Sequence, residues 1–336
     1  MLTRPEPPRE TFGSSREQAW TSYWQSGALH SLPGTFEGNY AGLIGQHWRS
    51  FLGALKGPCQ VLDLATGNGP LPLILLEVNP HADVTCMAVD LTSVAPAWWQ
   101  GVAEQQRARV QFLGGVDLGA LPFASGQFDA VVSQFGFEYG PRPESAQELV
   151  RVLRDQGQLE LVCHHRDSFL LEQARHERAH LEWIRSPDGW LEAAKAMLEP
   201  MSLAGHAQGQ ALLSREPRYL SVRSRFDQCA QAADQRVHTH PCPDVLGEVG
   251  QSLAVCFQKA MSEGLQAGRA QWAEVRRQLD LADQRLQHMQ SAALGTDELT
   301  SMVGWFAQQG VRTEVSRLED EHGLWAWVLR GKKMGA

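Results

Sequence analysis

Val61-Leu-Asp-Leu-Ala-Thr-Gly-Asn-Gly-Pro70 is the stretch on which the fold turns. An apolar run that ends in small residues and two glycines predicts a strand followed by a tight turn. There the backbone can approach a ligand closely, at the carboxyl end of an open sheet where α/β proteins bind small molecules. The dinucleotide fingerprint needs G-x-G-x-x-G, but Gly67 and Gly69 are followed by Pro70-Leu-Pro72 with no third glycine. That weakens a nicotinamide-dinucleotide reading. No Gly-Lys-Ser/Thr trails the loop, which removes a P-loop as well.

Downstream of the loop, short apolar runs at 84–89, 110–113, 128–133 and 158–163 alternate with helix-length segments, the pattern of a parallel sheet with crossover helices. Asp90 closes the second run, about twenty residues beyond the glycine turn, where a carboxylate accepts hydrogen bonds from ribose hydroxyls. An adenosyl ligand is therefore expected. Asp117, just past the third run, is placed to accept from an exocyclic adenine amine.

Upstream, Trp20, Tyr23 and Trp24 fall at helical spacing, and residues 40–55 form a second helical stretch leading into Gly57-Pro58. Tyr40, following Asn39, is placed to reach the ligand from this side. From 166 to 295 the strand signal vanishes. This block holds 15 Lys/Arg against 16 Asp/Glu and reads as helices over 170–184, 191–198, 244–264 and 270–293. A helix over 296–309, with Thr296 as its N-cap, and two strands at 311–316 and 323–330 joined by the charged loop 317–322 close the chain.

The 336 residues carry 30 basic and 38 acidic side chains, a net charge of −8, which argues against a chain-wide footprint for nucleic acid. The longest apolar run, 71–78, is broken by Pro72 and Glu77 and is far short of the roughly 20 residues a bilayer span requires. No membrane span is expected. Residues 1–10 lack an apolar core for secretion, so a cytoplasmic protein is expected. The six cysteines form no C-x-x-C pair and read as free thiols. His176-Glu-Arg-Ala-His180 satisfies H-E-x-x-H, but Arg175 and Arg178 flank it and no third ligand follows at a recognised spacing. His238-Thr-His-Pro-Cys242 offers no closed set of four ligands. No metal is expected.

The stretches VLDLATGNG, VTCMAVD, DLGALPFASGQFDAVVSQFGFEY and ELVRVLRDQGQLELVCHH, in that order, resemble the class I S-adenosylmethionine-dependent methyltransferases. Within that superfamily the branch of ubiquinone- and menaquinone-biosynthesis methyltransferases is most similar. The resemblance covers about 55–165 and the terminal hairpin. It implies a Rossmann-like α/β fold with a seven-stranded sheet in the order 3-2-1-4-5-7-6, and S-adenosylmethionine as cofactor with S-adenosylhomocysteine as product. It also implies that Asp63, Ala65, Thr66, Gly67, Asn68 and Gly69 form the loop at the methionine end and that Asp90 binds the ribose. Leu91 would pack on the adenine, Asp117 and Leu118 would face its amine and ring, and Ser133, Gln134 and Phe135 would close the pocket below the methionyl part. At Ala65 the family often has glycine, so a tighter fit is expected.

The expected organisation is an N-terminal helical segment, 1–56, over the cofactor site, a methyltransferase domain of 57–165 and 296–336, and a helical cap inserted at 166–295. Methyl transfer needs alignment and, for a hydroxyl or acidic carbon, removal of a proton. His164 and His165, at the end of the fifth strand, are the first candidates for the base, with Tyr139 and Glu138 second. Trp183, Trp190, Phe226, Phe257 and Trp272 are expected either to line an acceptor pocket or to form the cap's own core. The same cap could serve as a homodimer interface, and Arg215, Arg218, Arg223 and Arg225 could meet an anionic acceptor or a carrier protein. A small-molecule methyltransferase is the leading reading, with a protein or nucleic-acid methyltransferase and a non-catalytic cofactor-binding scaffold as alternatives.

Overall fold

A computed structural model describes residues 12–32, 36–81, 83–140, 142–213 and 215–335, the side chains of 12–15 excepted. The leader reading of residues 1–10 lies outside the described residues. The chain separates into two compact units, one made of 1–171 with 288–336 and the other of 172–287.

In the first unit the elements follow in the order α1 (Phe12–Gln25), α2 (Gly42–Ala54), β1 (Cys59–Leu64), α3 (Pro70–Val78), β2 (Val84–Val89), α4 (Glu104–Arg107), β3 (Val110–Leu113), β4 (Phe128–Gln134), α5 (Arg142–Val152) and β5 (Leu153–His164). With the closing pair β6 (Val311–Asp320) and β7 (Gly323–Lys333), the seven strands order as β3-β2-β1-β4-β5-β7-β6, as expected. All run parallel except β7, which is antiparallel to both of its neighbours. Buried helix-facing surfaces on both sides explain why β1 and β4 read as continuous apolar runs. One core packs α2 and α3 on one face, around Ile44, Trp48, Ile74 and Leu75, and a second packs α5 and the final helix on the other, around Leu149, Met302 and Phe306.

The second unit continues with α6 (Phe169–Arg185), which begins in the first, then α7 (Trp190–Ala204), α8 (Ala207–Leu213), α9 (Pro217–Thr239), α10 (Asp244–Glu263) and α11 (Leu265–Ala292), which returns to the first. It has its own core of Leu181, Ile184, Leu198, Leu246, Leu253 and Cys256. The expected pocket aromatics belong to that core. Trp190 and Trp272 are buried in it, with Trp183, Phe226 and Phe257 packed against it, and the Trp272 indole donates to the Leu191 carbonyl at 2.9 Å. Three of the four clustered arginines are neutralised within the same unit: Arg218 by Glu199, Arg223 by Asp227 and Arg225 by Asp188. The chain closes with α12 (Thr296–Gln308), β6 (Val311–Asp320) and β7 (Gly323–Lys333).

Four local expectations change. Helix α9 was not expected because only Tyr219 and Ala233 are buried along it, so it carries almost no apolar stripe. Strand β5 starts at Leu153 rather than Gln158, with a register shift between Phe128↔Leu153 and Ala130↔Gln158 and Gln156 at φ 63°. The charged segment 317–320 is strand, not loop: β6 is the sheet edge, where exposed charges guard against further pairing. Finally, Gly295 rather than Thr296 is the N-cap of α12, its N–H held by the Glu298 carboxylate at 3.1 Å. Among the described residues no helix is long and apolar enough to cross a membrane.

Candidate functional site

The register of the central strands builds the site. β1 and β2 pair from Cys59↔Val84 to Leu64↔Val89, so they end level, and Ala65 and Asp90 leave the sheet side by side. Ala65 then takes φ 54°, a left-handed conformation that costs a residue with a Cβ about 1–2 kcal/mol. The turn is held by Thr66 N donating to the Val89 carbonyl at 2.9 Å and Gly69 N donating to the Thr66 carbonyl at 3.0 Å. Gly67 (φ 55°) and Gly69 (φ 75°) are required twice over. Each is left-handed, and a Cβ would lie 2.6 Å from the Trp24 ring at one and 2.8 Å from Phe112 at the other.

The Asp90 carboxylate is buried between the two strand ends. Its Oδ2 accepts from Gly67 N at 2.8 Å and its Oδ1 from Thr92 N at 2.9 Å and Thr92 Oγ1 at 2.8 Å. Burial holds its pKa above the usual carboxylate range, opposed by those bonds. Asp63, in β1, is buried completely. Burial pushes its pKa up to about 8, the Thr66 hydroxyl opposes this by donating to Oδ2 at 2.5 Å, and the charge of Asp90 adds to the rise. Its Oδ1 is buried with no hydrogen-bond partner among the described residues. The start of α3 is poor in donors: Pro70 and Pro72 have no N–H, and Leu73 N is spent on the Gly69 carbonyl. A phosphate would find few N–H groups here, so the loop suits a nucleoside without a pyrophosphate.

Beside this loop lies a cavity of about 440 Å³, a size suited to one small molecule. Of the sequence-predicted residues, Tyr40, Ala65, Thr66, Asp90 and Leu91 line it, as do Asp117, Leu118, Gln134, Phe135 and Tyr139. Asp117 is exposed and accepts from Gly119 N at 2.8 Å, while Leu118 is buried. Phe135 is left-handed (φ 53°), so strained backbone stands at the carboxyl ends of both β1 and β4. Asn68 braces rather than lines the cavity: its amide donates to the Trp24 and Ala28 carbonyls at 2.9 and 2.7 Å. Ser133 is corrected from pocket wall to internal stitch. Fully buried, its hydroxyl donates to the Leu64 carbonyl at 2.8 Å and accepts from Phe137 N at 3.0 Å, tying β4 to β1.

Sequence reasoning expected the segment 1–56 over the cofactor site but named only Tyr40 from it as reaching the ligand. Arg16, Glu17, Trp20 and Trp24 all line the cavity. Trp20 stacks on Trp24 at 5.7 Å and meets Tyr139 edge-on at 5.6 Å, and Arg16 donates to the Tyr139 carbonyl. His30, stacked on Tyr40 at 4.5 Å, was also missed. The aromatic triplet of α1 was the available signal.

The proposed bases differ sharply in setting. His164 is buried, with its Nδ1 2.8 Å from Glu138 Oε1 and its backbone N–H on the same oxygen at 2.8 Å. His165 points the other way, as successive residues of an extended chain do, and stacks on Trp327 at 4.2 Å. Its Nδ1 accepts from Asp167 N at 3.0 Å, and burial lowers its pKa. Tyr139 lines the cavity, but burial, aided by Glu138, holds its hydroxyl well above its ordinary pKa, which makes it a proton donor rather than a base. Of the two would-be metal-binding histidines of α6, His176 is half-buried beside Glu172, and His180 is buried with its Nε2–H on the Pro241 carbonyl at 3.0 Å. Among the described residues no group of three His, Cys, Asp or Glu side chains is arranged to hold a metal.

Residues 61–157 match a methyltransferase-domain family. The chain is 41% identical over 105 residues to a demethylmenaquinone methyltransferase of Thermus thermophilus, a stretch covering 31% of this chain and 46% of the relative. It is 34% identical over 106 residues to the Thermotoga maritima enzyme of the same name, covering 31% and 43%. The chain thus spans less than half the length of these curated relatives. Among solved structures, a 1,6-didemethyltoxoflavin-N1-methyltransferase from Burkholderia thailandensis aligns at TM-score 0.37 with 20% identity, over 49% of this chain and 68% of that one.

Proposed function

We propose that this chain, whose residues 61–157 form a class I S-adenosylmethionine-dependent methyltransferase domain, binds S-adenosylmethionine in the cavity beside Gly67 and transfers its methyl group to a small-molecule acceptor. The observation that carries this reading is the buried Asp90 carboxylate, tied to Gly67 N across the level ends of β1 and β2. It stands beside a helix start too poor in N–H groups for a pyrophosphate.

The residues present fit the cofactor. Asp90, Leu91, Asp117 and Leu118 line the cavity; in this reading Asp90 accepts from the ribose hydroxyls, Leu91 and Leu118 pack on the adenine, and Asp117 accepts from its amine. The unpartnered Oδ1 of Asp63 suits a cationic amine, and Ala65, Gly67 and Gly69 let the backbone come close to the methionyl chain. Tyr40, Gln134 and Phe135 supply the remaining wall. When bound, the cofactor supplies a methyl group made electrophilic by its sulfonium. The protein's part is to hold the acceptor in line with that methyl, exclude water with the aromatic wall of α1 and take up any proton released.

Titration of S-adenosylhomocysteine into the wild type and Asp90→Ala tests the cofactor site. The reading expects at least about a tenfold loss of affinity in the variant, the magnitude of one charge-assisted hydrogen bond, and equal affinities would count against it.

A further inference from the structure

The wall of the cavity carries a cation that the cofactor reading leaves unused. Of the described residues lining it, Arg16 is the only lysine or arginine. It stands half-buried on α1, and its guanidinium donates through Nη1 to the Tyr139 carbonyl, a neutral partner. Among the described residues it forms no ion pair. Glu17, its neighbour in sequence, also lines the cavity but is exposed, and consecutive helical residues do not face each other. Holding a guanidinium partly out of water without a counter-charge costs free energy that a neutral side chain would not.

The surroundings add no anion for it. The other acidic residues of the wall, Asp90 and Asp117, are bonded to the N–H groups of Gly67, Thr92 and Gly119 rather than to Arg16. His288, near the end of α11, has a buried Nδ1 with no hydrogen-bond partner among the described residues. Burial and then the charge of Arg16 lower its pKa, so the group that shares this side of Arg16 is a neutral imidazole and not a carboxylate.

Charge and position decide which ligand group the cation faces. S-adenosylmethionine has one anion, its methionyl carboxylate, on the same carbon as the amine that suits Asp63. That end belongs beside Gly67, where the ring of Trp24 sits 2.6 Å from the place of a Cβ. Arg16 comes eight residues earlier on the same helix, about 12 Å away along its axis at 1.5 Å per residue. The adenosine portion is uncharged, so the anion that completes Arg16 comes from the second ligand. Trp20, one turn from Arg16, meets Tyr139 edge-on at 5.6 Å, and both line the cavity and offer aromatic surface to a planar body. One guanidinium balances one negative charge. With Nη1 on the Tyr139 carbonyl, the Nε–Nη2 edge is left as a planar fork, which fits the two oxygens of a carboxylate.

We propose that Arg16 selects the acceptor by binding its carboxylate, and that the acceptor is a planar aromatic acid lying against Trp20 and Tyr139. This rests on the methyltransferase reading above. Arg16 determines specificity here: it touches the acceptor and takes no part in making or breaking bonds.

The test uses 2-naphthoate and the uncharged 2-naphthamide, nearly equal in shape, titrated by calorimetry at neutral pH into the full chain saturated with S-adenosylhomocysteine. Titration of S-adenosylhomocysteine alone comes first: if it does not bind, the methyltransferase reading fails and the role of Arg16 falls with it. If it binds, the two probes decide the proposal by themselves. The naphthoate should bind at least about tenfold more tightly than the amide, the magnitude of one charge-assisted hydrogen bond. Arg16→Gln should bring the two probes within about twofold of each other while S-adenosylhomocysteine still binds. Arg16→Met, which keeps the apolar stem, carries the same expectation where the first variant does not fold. Failure of 2-naphthoate to bind, equal affinities in the wild type, or a preference for the acid that survives in Arg16→Gln would each overturn the proposal. So would loss of S-adenosylhomocysteine binding in folded Arg16→Gln, which would give the cation to the cofactor.

Discussion

Replacing Asp63 with Asn should make the ligand-free protein more stable at alkaline pH while weakening its hold on the cofactor. Asp63 is fully buried, and its pKa rises from 3.8 to about 8 in the folded chain, with burial as the chief cause. Because the folded pKa lies above the unfolded one, the native state binds the extra proton. The associated stability is present in full below about pH 4, falls by up to about 1.4 kcal/mol per pH unit as pH rises, and is gone above about pH 8. Integrated over that window, ionised Asp63 costs on the order of 5 kcal/mol by pH 9. In Asp63→Asn this cost disappears, offset by roughly 1–3 kcal/mol for an amide N–H in the unpartnered place of Oδ1. The Thr66 hydroxyl keeps an acceptor. Urea unfolding of both proteins between pH 5 and 9 should therefore give curves that cross, with the variant equal or weaker at pH 5 and stronger by about 2–4 kcal/mol at pH 9. Parallel curves, or a variant weaker at pH 9, would refute the reasoning.

Other perturbations act on separate parts of the architecture. Gly67→Ala would meet the Trp24 ring at 2.6 Å in a left-handed conformation, so calorimetry should find S-adenosylhomocysteine binding abolished and thermal unfolding a loss of at least about 1–2 kcal/mol. Trp24→Ala removes part of the α1 wall, and stopped-flow fluorescence should record cofactor release faster by about tenfold with the fold intact. Ser133→Ala strands the Leu64 carbonyl and Phe137 N–H, a loss of about 1–3 kcal/mol in denaturant titrations. Glu160, fully buried, is bound by Arg330 at 2.8 and 2.9 Å and by His47 at 3.0 Å; burial raises its pKa, but these partners together outweigh that and leave it lowered. Glu160→Gln should cost about 1–3 kcal/mol near neutral pH, since Arg330 is largely exposed and keeps its hydration, and because a depressed pKa stabilises only while the group is ionised, the gap to wild type should narrow as pH falls below about 4.

The alternation of strands and helices and the placement of Asp90 were legible because they follow from short-range chemistry, whereas the order of the sheet was implied by the resemblance to the class I methyltransferases. Apolar strands, a glycine turn and a carboxylate at the end of the next strand are each visible within a few residues, and level register brings them together. What could not be read depends on which face meets which. His164 and His165 are equivalent on paper, yet alternation along β5 gives one a carboxylate and the other the Trp327 ring. The aromatics of the insertion were equally ambiguous, since helical periodicity marks an apolar face without saying whether that face closes on its own unit, as it does here. Helix α9 had no stripe to detect. The position of α1 over the site was expected, but the individual contacts that fix it there, such as Arg16 with the Tyr139 carbonyl more than a hundred residues away, are not encoded in any local pattern.

Titrating S-adenosylmethionine into the wild-type protein at pH 7, in two buffers of different ionisation enthalpy, tests the central claim most directly. One molecule should bind per chain. The apparent heat should differ between the buffers by the amount expected for release of most of a proton, because a cationic amine beside Asp63 drives off the proton that burial retains up to about pH 8. An absence of binding at millimolar cofactor would contradict the account outright.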